Sequence, residues 1–211
     1  MQLLLLLLEL TLLATTISAD VPLPHKFEFT EAHEHYHMLA VLDAKDGTQL
    51  KGFRVFNDRD RLLQFIGFEQ DLSQKVPEFV RGEIPGASPV KFVDCNFDGF
   101  VDAMFREDIS PRYESFEIWL WDPQKKKFVV AQQLNDAEIN AVDPRTKAVS
   151  SGGSGGHGDF WEKAYKYSPS GKLVLAYTDF ISGRENSEVK TYYADGKVSK
   201  IVKSVAPADD Q

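Results

Sequence analysis

Oxygen-bearing side chains recur at a regular spacing in residues 94–102, which read D-C-N-F-D-G-F-V-D. They occupy positions 1, 3, 5 and 9 of this segment, and a glycine occupies position 6. A hard cation such as Ca²⁺ binds six to eight oxygens at about 2.3–2.6 Å, and alternate positions of a tight loop can supply several of them. The three carboxylates of the segment also repel one another, so a bound cation would relieve an electrostatic cost. The spacing predicts a Ca²⁺ site whose ligands are Asp94, Asn96, Asp98, the carbonyl of Phe100 and Asp102.

The sequence on either side of this segment is typical of β-strands. Residues 90–93 and 100–105 are rich in β-branched and aromatic side chains, which favour strands. Phe105 stands at position 12, where the helix–loop–helix calcium site has a bidentate Glu. We therefore expect an EF-hand-like strand–loop–strand site with the modest affinity of extracellular modules, on the order of 10⁻⁴–10⁻³ M. The alternative is a solvated acidic turn, because Asp, Asn and Gly favour turns for local reasons.

A second unusual segment, residues 150–158, consists almost entirely of serine and glycine. Residues 153–158 formally match G-x-G-x-x-G, but a dinucleotide site needs a helix after the motif, and a strand pattern follows here. Two interpretations remain: a flexible connection between strands, and a protruding loop that enters the cleft of a partner protein. The second interpretation assigns partner binding to Ser151, Gly152, Ser154 and His157.

Histidine and cysteine are the other residue types here that could bind metals or react. His33, His35 and His37 alternate, so on a strand they would share one face and could bind Zn²⁺ or Cu²⁺. We favour a solvated or half-buried strand face over that metal site. Cys95 is the single cysteine of the chain, so no disulfide can form within it. We expect its side chain to be a small buried hydrophobe.

The sequence contains no local pattern that is diagnostic of an enzyme. Acidic residues are plentiful, but none outside residues 94–102 occurs in a context that indicates general acid–base catalysis. Serine, histidine and aspartate occur without a nucleophile elbow. We therefore expect a protein that is not an enzyme.

Short alternating segments separated by turn residues recur along the chain, as on both sides of Asp122-Pro123 and of residues 168–171. They predict an all-β fold of antiparallel hairpins, either a small propeller or a sandwich. Residues 116–121 are apolar on both faces, which indicates a central strand, although Trp119 and Trp121 could instead form an exposed platform for sugar rings. Residues 60–76 fit either a helix or, across residues 57–60, a hairpin.

The ends of the chain and its net charge indicate where the protein is located and which classes of partner it can bind. Residues 1–19 combine a leucine-rich run with a small-residue cleavage site, as in a secretory signal peptide. We expect a secreted or periplasmic protein with a single β domain over residues 20–203, a flexible tail over 204–211 and no membrane span in the mature chain. The chain has 24 basic and 32 acidic residues, a net charge of −8, which argues against nucleic acid and favours a cationic protein partner. The oligomeric state is not indicated.

The segment Asp94–Asp102 resembles the D-x-N-F-D-G-y-x-D loop of a group of bacterial periplasmic proteins. This group includes the immunity protein that blocks a lysozyme-like effector delivered by a type IV secretion system, and it is related to periplasmic inhibitors of invertebrate-type lysozyme. Later segments are similar in order, over roughly residues 90–175. They are Trp121-Asp122-Pro123, Asp143-Pro144-Arg145-Thr146-Lys147, the Gly/Ser-rich segment, Tyr167 and Gly171-Lys172-Leu173-Val174-Leu175.

The resemblance implies a distorted β-propeller with an EF-hand-like calcium loop that acts as an inhibitor of a lysozyme-type peptidoglycan hydrolase. It also implies the same five ligands that the spacing predicts. The lysozyme inhibitors insert a Ser-Gly-x-Tyr loop into the enzyme, and the nearest match here, residues 151–154, has no tyrosine at that spacing. The alternative function is a calcium-dependent extracellular module that binds a glycan or a protein without inhibiting an enzyme.

Overall fold

The computed structural model of this chain describes residues 26–31, 33–42, 50–68, 88–109 and 112–205, without the side chains of residues 108 and 109. The first sheet consists of β1 (Lys26–Glu31), β2 (Glu34–Leu42), β3 (Leu50–Asn57) and β4 (Leu62–Gly67). The second consists of β5 (Val90–Val93), β6 (Asp102–Ile109), β7 (Glu114–Asp122) and β8 (Lys127–Val130). A short helix, α1 (Gln132–Asp136), follows. The third sheet consists of β9 (Ala141–Asp143), β10 (Ala148–Gly156), β11 (Asp159–Tyr167), β12 (Leu173–Ser182), β13 (Ser187–Ala194) and β14 (Lys197–Val205).

Each sheet is an antiparallel meander, in which strands that follow one another in the chain are also hydrogen-bonded neighbours. The sheets have four, four and six strands, and within the described residues none of them closes on itself. Polar turn residues join the strands: between β7 and β8, Asp122 Oδ1 accepts hydrogen bonds from the backbone of Gln124 and Lys125, both at 3.0 Å. The predicted all-β class and the antiparallel hairpins are confirmed.

The second sheet contributes apolar side chains to two cores, one on each of its faces. On one face, Phe105 stacks on Phe53 of the first sheet with ring centroids 4.9 Å apart. On the other face, Ile118 belongs to a core that also contains Leu134 of α1 and Val149 of the third sheet. The central sheet is therefore held to its neighbours by burial of apolar area on both sides, which is the main stabilising contribution in such a fold.

Strand β7 shows why the sequence pattern identified this central position. Phe116 and Ile118 are buried in the core toward the third sheet, and Trp121 is buried in the core toward the first. Trp119 is partly buried against the same core as Trp121. The prediction of a doubly covered strand is confirmed, and these two tryptophans do not form an exposed platform for sugars.

The structure resolves one ambiguous prediction in part and adds one element that the sequence did not predict. Residues 62–67 are strand β4, so the hairpin interpretation is correct there, and Asn57 Oδ1 fixes its turn by accepting from the backbone of Arg59 and Arg61 at 3.1 and 2.9 Å. The helix α1 was not predicted. It is anchored because the Asn135 side chain pairs with both backbone groups of Ile118, at 2.8 and 3.2 Å.

Several predictions fall wholly or partly outside the described residues. These include the signal peptide (1–19), residues 69–76 of the ambiguous segment and residues 206–211 of the tail. Ser204 and Val205, which were assigned to the tail, form the end of β14. In the described part of the chain, no helix has the length and the apolar character needed to cross a membrane.

Candidate metal centre

The predicted calcium segment is a loop that joins two neighbouring strands of the second sheet. Val93 at the end of β5 pairs with Asp102 at the start of β6, and residues 94–101 connect them. Asp98 and Gly99 are exposed at the tip, whereas Cys95 is completely buried at the base. The predicted strand–loop–strand arrangement is confirmed.

Backbone hydrogen bonds gather three of the predicted ligands around this loop. The N–H of Asp98 is shared between Asp94 Oδ1 at 3.2 Å and Asn96 Oδ1 at 3.0 Å. Gly99 N–H donates to Asp94 Oδ2, and Phe100 N–H donates to Asp98 Oδ1, both at 2.9 Å. The Asn96 amide also donates to Asp98 Oδ2 at 2.8 Å. The loop therefore brings the side chains of Asp94, Asn96 and Asp98 together.

The backbone takes two left-handed turns to achieve this. Gly99 has φ of +92° and Phe97 has φ of +61°. An added Cβ at Gly99 would meet no atom within 4 Å, so the glycine is needed for its φ rather than for space. A glycine at position 6 of the segment is therefore suited to this conformation.

Asp102 is completely buried at the base of the loop and accepts two backbone hydrogen bonds. Its Oδ2 accepts from the N–H of Cys95, and its Oδ1 accepts from the N–H of Trp121, both at 2.8 Å. Burial raises the pKa of Asp102 to about 7, and nearby Asp98 and Asp94 add to this effect, against the two hydrogen bonds. In this structure Asp102 is an anchor that attaches the base of the loop to β7.

The loop also contacts the other two sheets. Val101 N–H donates to Glu31 Oε2 at 2.6 Å, and Glu31 is a buried residue at the end of β1. On the opposite side, the ring of Phe97 packs edge-on against Tyr167 of β11, with centroids 6.2 Å apart. The loop is therefore connected to all three sheets.

The negative charge of the loop contributes to raising the pKa of buried residues beside it. Burial raises the pKa of the Cys95 thiol, and the charges of Asp102 and Asp94 raise it further. Burial also raises the pKa of Tyr167, again with a contribution from the same carboxylates. Cys95 is buried and unpaired, as expected, and its thiol is held in the neutral form.

The donor chemistry of the loop fits a hard cation. Asp94, Asn96 and Asp98 offer only oxygens to a metal, and each ionised carboxylate can accept about four hydrogen bonds or metal contacts, so lone pairs remain after the bonds above. Among the described residues, no three His, Cys, Asp or Glu side chains converge in an arrangement that could hold a metal ion. The predicted site includes an amide oxygen and a backbone carbonyl, so it is not defined by such side chains alone.

The Gly/Ser-rich segment is a strand, which corrects the expectation of a loop. Residues 148–156 form β10, and Gly152 pairs with Glu162 of β11. Ser151 is 2% exposed, so its side chain is closed to a partner. Ser154 is half-buried near the end of the strand, and His157 is exposed in the turn to β11. The four predicted partner-binding residues are thus spread from a buried strand position to an exposed hairpin tip.

The alternating histidines lie on β2 and in the turn that precedes it. His33 is in the turn between β1 and β2, with φ of +68°. The His35 ring is hydrogen-bonded to Thr30 at 3.0 Å. The His37 ring stacks on Phe56 with centroids 5.1 Å apart. His35 is exposed and His37 is buried, so the solvated or half-buried strand face that the sequence favoured describes His35 but not His37.

Glu31 is a site residue that the sequence analysis missed. It lies far from the loop in the chain, in a segment with no metal-ligand spacing. Its contact with Val101 depends on how the first sheet packs on the second, so no local pattern could have indicated it.

Comparison with solved structures shows a likeness in fold to a protein described as a Xanthomonas type IV secretion system related protein. The TM-score is 0.56 at 15% sequence identity, and the alignment covers 90% of this chain and 98% of that one. At this identity the likeness shows a shared all-β fold. No protein-family model matches the chain, and no curated protein matches its sequence.

Proposed function

We propose that this protein is a secreted or periplasmic calcium-binding protein, without catalytic activity of its own, that inhibits a lysozyme-type peptidoglycan hydrolase. The observation on which the proposal depends is the likeness of fold, over 90% of the chain, to a protein related to a bacterial type IV secretion system. The loop of residues 94–102 supports it, because this segment resembles the calcium loop of the immunity proteins and lies where the three sheets meet.

The proposal includes a distorted propeller architecture. A four-stranded meander is the usual unit of a propeller blade, and the first two sheets are such meanders. In the third sheet, β9 has only three residues, and β10 to β14 form a longer meander. We infer that the third sheet is an extended blade, which would account for a distorted shape.

Calcium in this proposal is a structural ion. Asp94, Asn96, Asp98 and the Phe100 carbonyl would hold it, with Asp102 closing the site directly or through a water. The ion would neutralise the exposed carboxylates and fix the loop between the sheets. For a Kd of about 1 mM, about 10 mM Ca²⁺ would add roughly 1.4 kcal/mol to the free energy of unfolding.

The partner surface that we propose is the tip of the β10–β11 hairpin. His157, Gly158 and Phe160 are exposed there, and Phe160 is 42% exposed although it is a large apolar residue. The turn is held in place because Gly183, in the neighbouring turn, donates its N–H to Asp159 Oδ1 at 3.1 Å. A fixed, partly apolar tip can enter a cleft with little loss of conformational entropy.

A lysis assay tests this function. The purified protein is titrated into peptidoglycan suspensions with a panel of lysozymes that includes an invertebrate type. We expect the lysis rate to fall with one type until an equimolar ratio is reached, and we expect no lysis by the protein alone. Phe160→Ala should weaken inhibition, whereas Asp195→Asn, in the distant β13–β14 turn, should not.

The opposite results are equally informative. Undiminished lysis by every enzyme in the panel, together with retention of the protein on a glycan array, would replace the inhibitor with a binding module. Turnover of peptidoglycan by the protein alone would identify an enzyme.

A further inference from the structure

A cavity of about 360 Å³ lies between the second and third sheets, away from the calcium loop. Its wall on the third sheet is formed by Gly152 of β10 and Trp161 of β11. Carboxylate and amide side chains also line it, chiefly Glu107, Glu138 and Asn140. The cavity is thus lined by aromatic residues and by oxygen acceptors.

Two glycines of β10 allow neighbouring backbone segments to approach this strand closely beside the cavity. A Cβ at Gly152 would lie 2.9 Å from the carbonyl oxygen of Trp161. At Gly153, a Cβ would lie 3.1 Å from the carbonyl oxygen of Arg112 and 3.2 Å from Cβ of Tyr113. Larger residues would push these segments apart, so the Gly/Ser composition allows the backbone of β10 to form a close, smooth wall.

The hydrogen-bond acceptors of Glu107, Glu138 and Asn140 are either held in place by a hydrogen bond from the same side chain or have no partner among the described residues. Asn140 Nδ2 donates to the carbonyls of Gly152 at 2.7 Å and Glu114 at 3.2 Å, which leaves its Oδ1 as an acceptor. Glu107 has no hydrogen bond or ion pair with the residues that the structure describes, and partial burial raises its pKa. Glu138 is exposed at the edge. These three side chains therefore favour a ligand that is rich in donors.

Two cations beside the cavity are already paired with a carboxylate. Glu114 accepts from Lys91 Nζ at 2.8 Å and from Arg106 Nη1, so its charge is compensated and both basic groups are engaged. The ammonium of Lys163 lies 5.9 Å from the centre of the Trp161 ring, at the limit for a cation–π contact. Among the side chains that line the cavity, the charges without a paired cation are those of Glu107 and Glu138, and both are negative.

We propose that this cavity binds one cationic side chain, a guanidinium or an ammonium group, presented by a basic protein partner. A guanidinium has five N–H donors and no acceptor, which matches the acceptors of the cavity, and it stacks well on an indole. The net charge of −8 would attract a basic partner. That the partner is a hydrolase rests on the proposed function, but binding of the cation does not.

The test uses small probes and the intact protein. N-acetyl-argininamide is titrated in NMR experiments that follow the Trp161 indole and Gly152 amide signals. N-acetyl-citrullinamide, its neutral isostere, and N-acetylglucosamine serve as comparison probes. We expect saturable shifts with the arginine probe, and binding at least tenfold weaker for both comparison probes. Glu107→Gln should weaken arginine binding about tenfold, equivalent to about 1.4 kcal/mol, whereas Glu185→Gln, in an exposed turn, should leave it unchanged.

Three results would overturn the proposal: no shift with the arginine probe, equal shifts with the neutral isostere, or unchanged affinity in a Glu107→Gln variant whose melting temperature equals that of the wild type. Stronger shifts with the sugar than with the arginine probe would also overturn it and identify a glycan pocket. None of these results affects the wild-type lysis assay, so the two proposals fail separately. If both hold, Glu107→Gln should also weaken inhibition of the hydrolase.

Discussion

Glu114→Gln would test how the second sheet is held together beside the cavity. The carboxylate of Glu114, on β7, accepts from Lys91 of β5 and from Arg106 of β6. The Arg106 side chain is 3% exposed, so its charge has little access to water, and Glu114 is one of its partners. The substitution keeps the shape of the side chain and removes only its charge.

The expected loss of stability follows from burial. Removing one partner of a fully buried ion pair costs about 3–5 kcal/mol. The Glu114 side chain is 34% exposed, and Arg106 Nε keeps its hydrogen bond to the Ser88 carbonyl at 3.0 Å, so we expect the lower part of this range or less. A loss of about 2–3 kcal/mol would lower the melting temperature by roughly 4–12 °C in a domain of this size.

Urea unfolding at pH 7 and in acid measures this effect and its pH dependence. Partial burial acts to raise the pKa of Glu114, but hydrogen bonds from Lys91 and Arg106 outweigh it and hold the pKa below its ordinary value of 4.5. The folded pKa is depressed, so the contribution is present above pH 4.5 and is lost as the pH falls through the folded value. The difference between wild type and variant should therefore shrink in acid.

Two control variants make the result interpretable. Glu185→Gln removes an exposed carboxylate and should change the free energy of unfolding by less than about 0.5 kcal/mol. Lys91→Met removes the more exposed partner and should cost less than about 1 kcal/mol. If Glu114→Gln unfolds like the Glu185 control at pH 7, the reasoning from buried charge is refuted.

Three further predictions concern the calcium loop. Chelation should lower the melting temperature of the wild type by roughly 3–6 °C relative to about 10 mM Ca²⁺, as measured by calorimetry. Asp98→Ala should abolish this difference. If the wild type melts at the same temperature with and without chelator, the proposed metal site is refuted. Gly99→Ala should cost about 1 kcal/mol or more in chemical unfolding because of φ at +92°, and a neutral result would contradict that conformation. Glu31→Gln should increase hydrogen exchange at the Val101 amide about fivefold by weakening a charge-assisted bond, and unchanged exchange would show that the bond does not form in solution.

The features that the sequence predicted correctly are those determined by consecutive residues. Turn chemistry and alternation are local, so the hairpins and the loop of residues 94–101 could be placed without knowledge of tertiary contacts. The apolar character of both faces of residues 116–121 indicated a central strand for the same reason. These properties depend on residues that are neighbours in the sequence, so they could be predicted without knowing how the sheets pack.

The features that could not be predicted depend on residues that are distant in the chain. Glycine disfavours strands, so residues 150–156 lacked a strand pattern, yet pairing with β11 and the close approach of the segment at 112–113 make β10 favourable. The role of Asp102 was also beyond local reasoning, because its acceptor Oδ1 is used by Trp121 on another strand. Spacing predicts a ligand, and the packing shows in addition that this side chain attaches the loop to β7.

Strand β11 physically joins the two regions to which we assign function. Tyr167 at its end contacts Phe97 in the calcium loop, and Phe160 near its start lies at the proposed partner surface. These two positions are separated by roughly 23 Å of extended strand at about 3.3 Å per residue. If calcium binds the loop, the ion and the proposed partner would be too far apart to interact directly, so calcium would influence the partner surface by fixing elements that lie between them, such as β11. Any strengthening of partner binding by calcium must be matched by an equal strengthening of calcium binding by the partner, since the coupling free energy is shared.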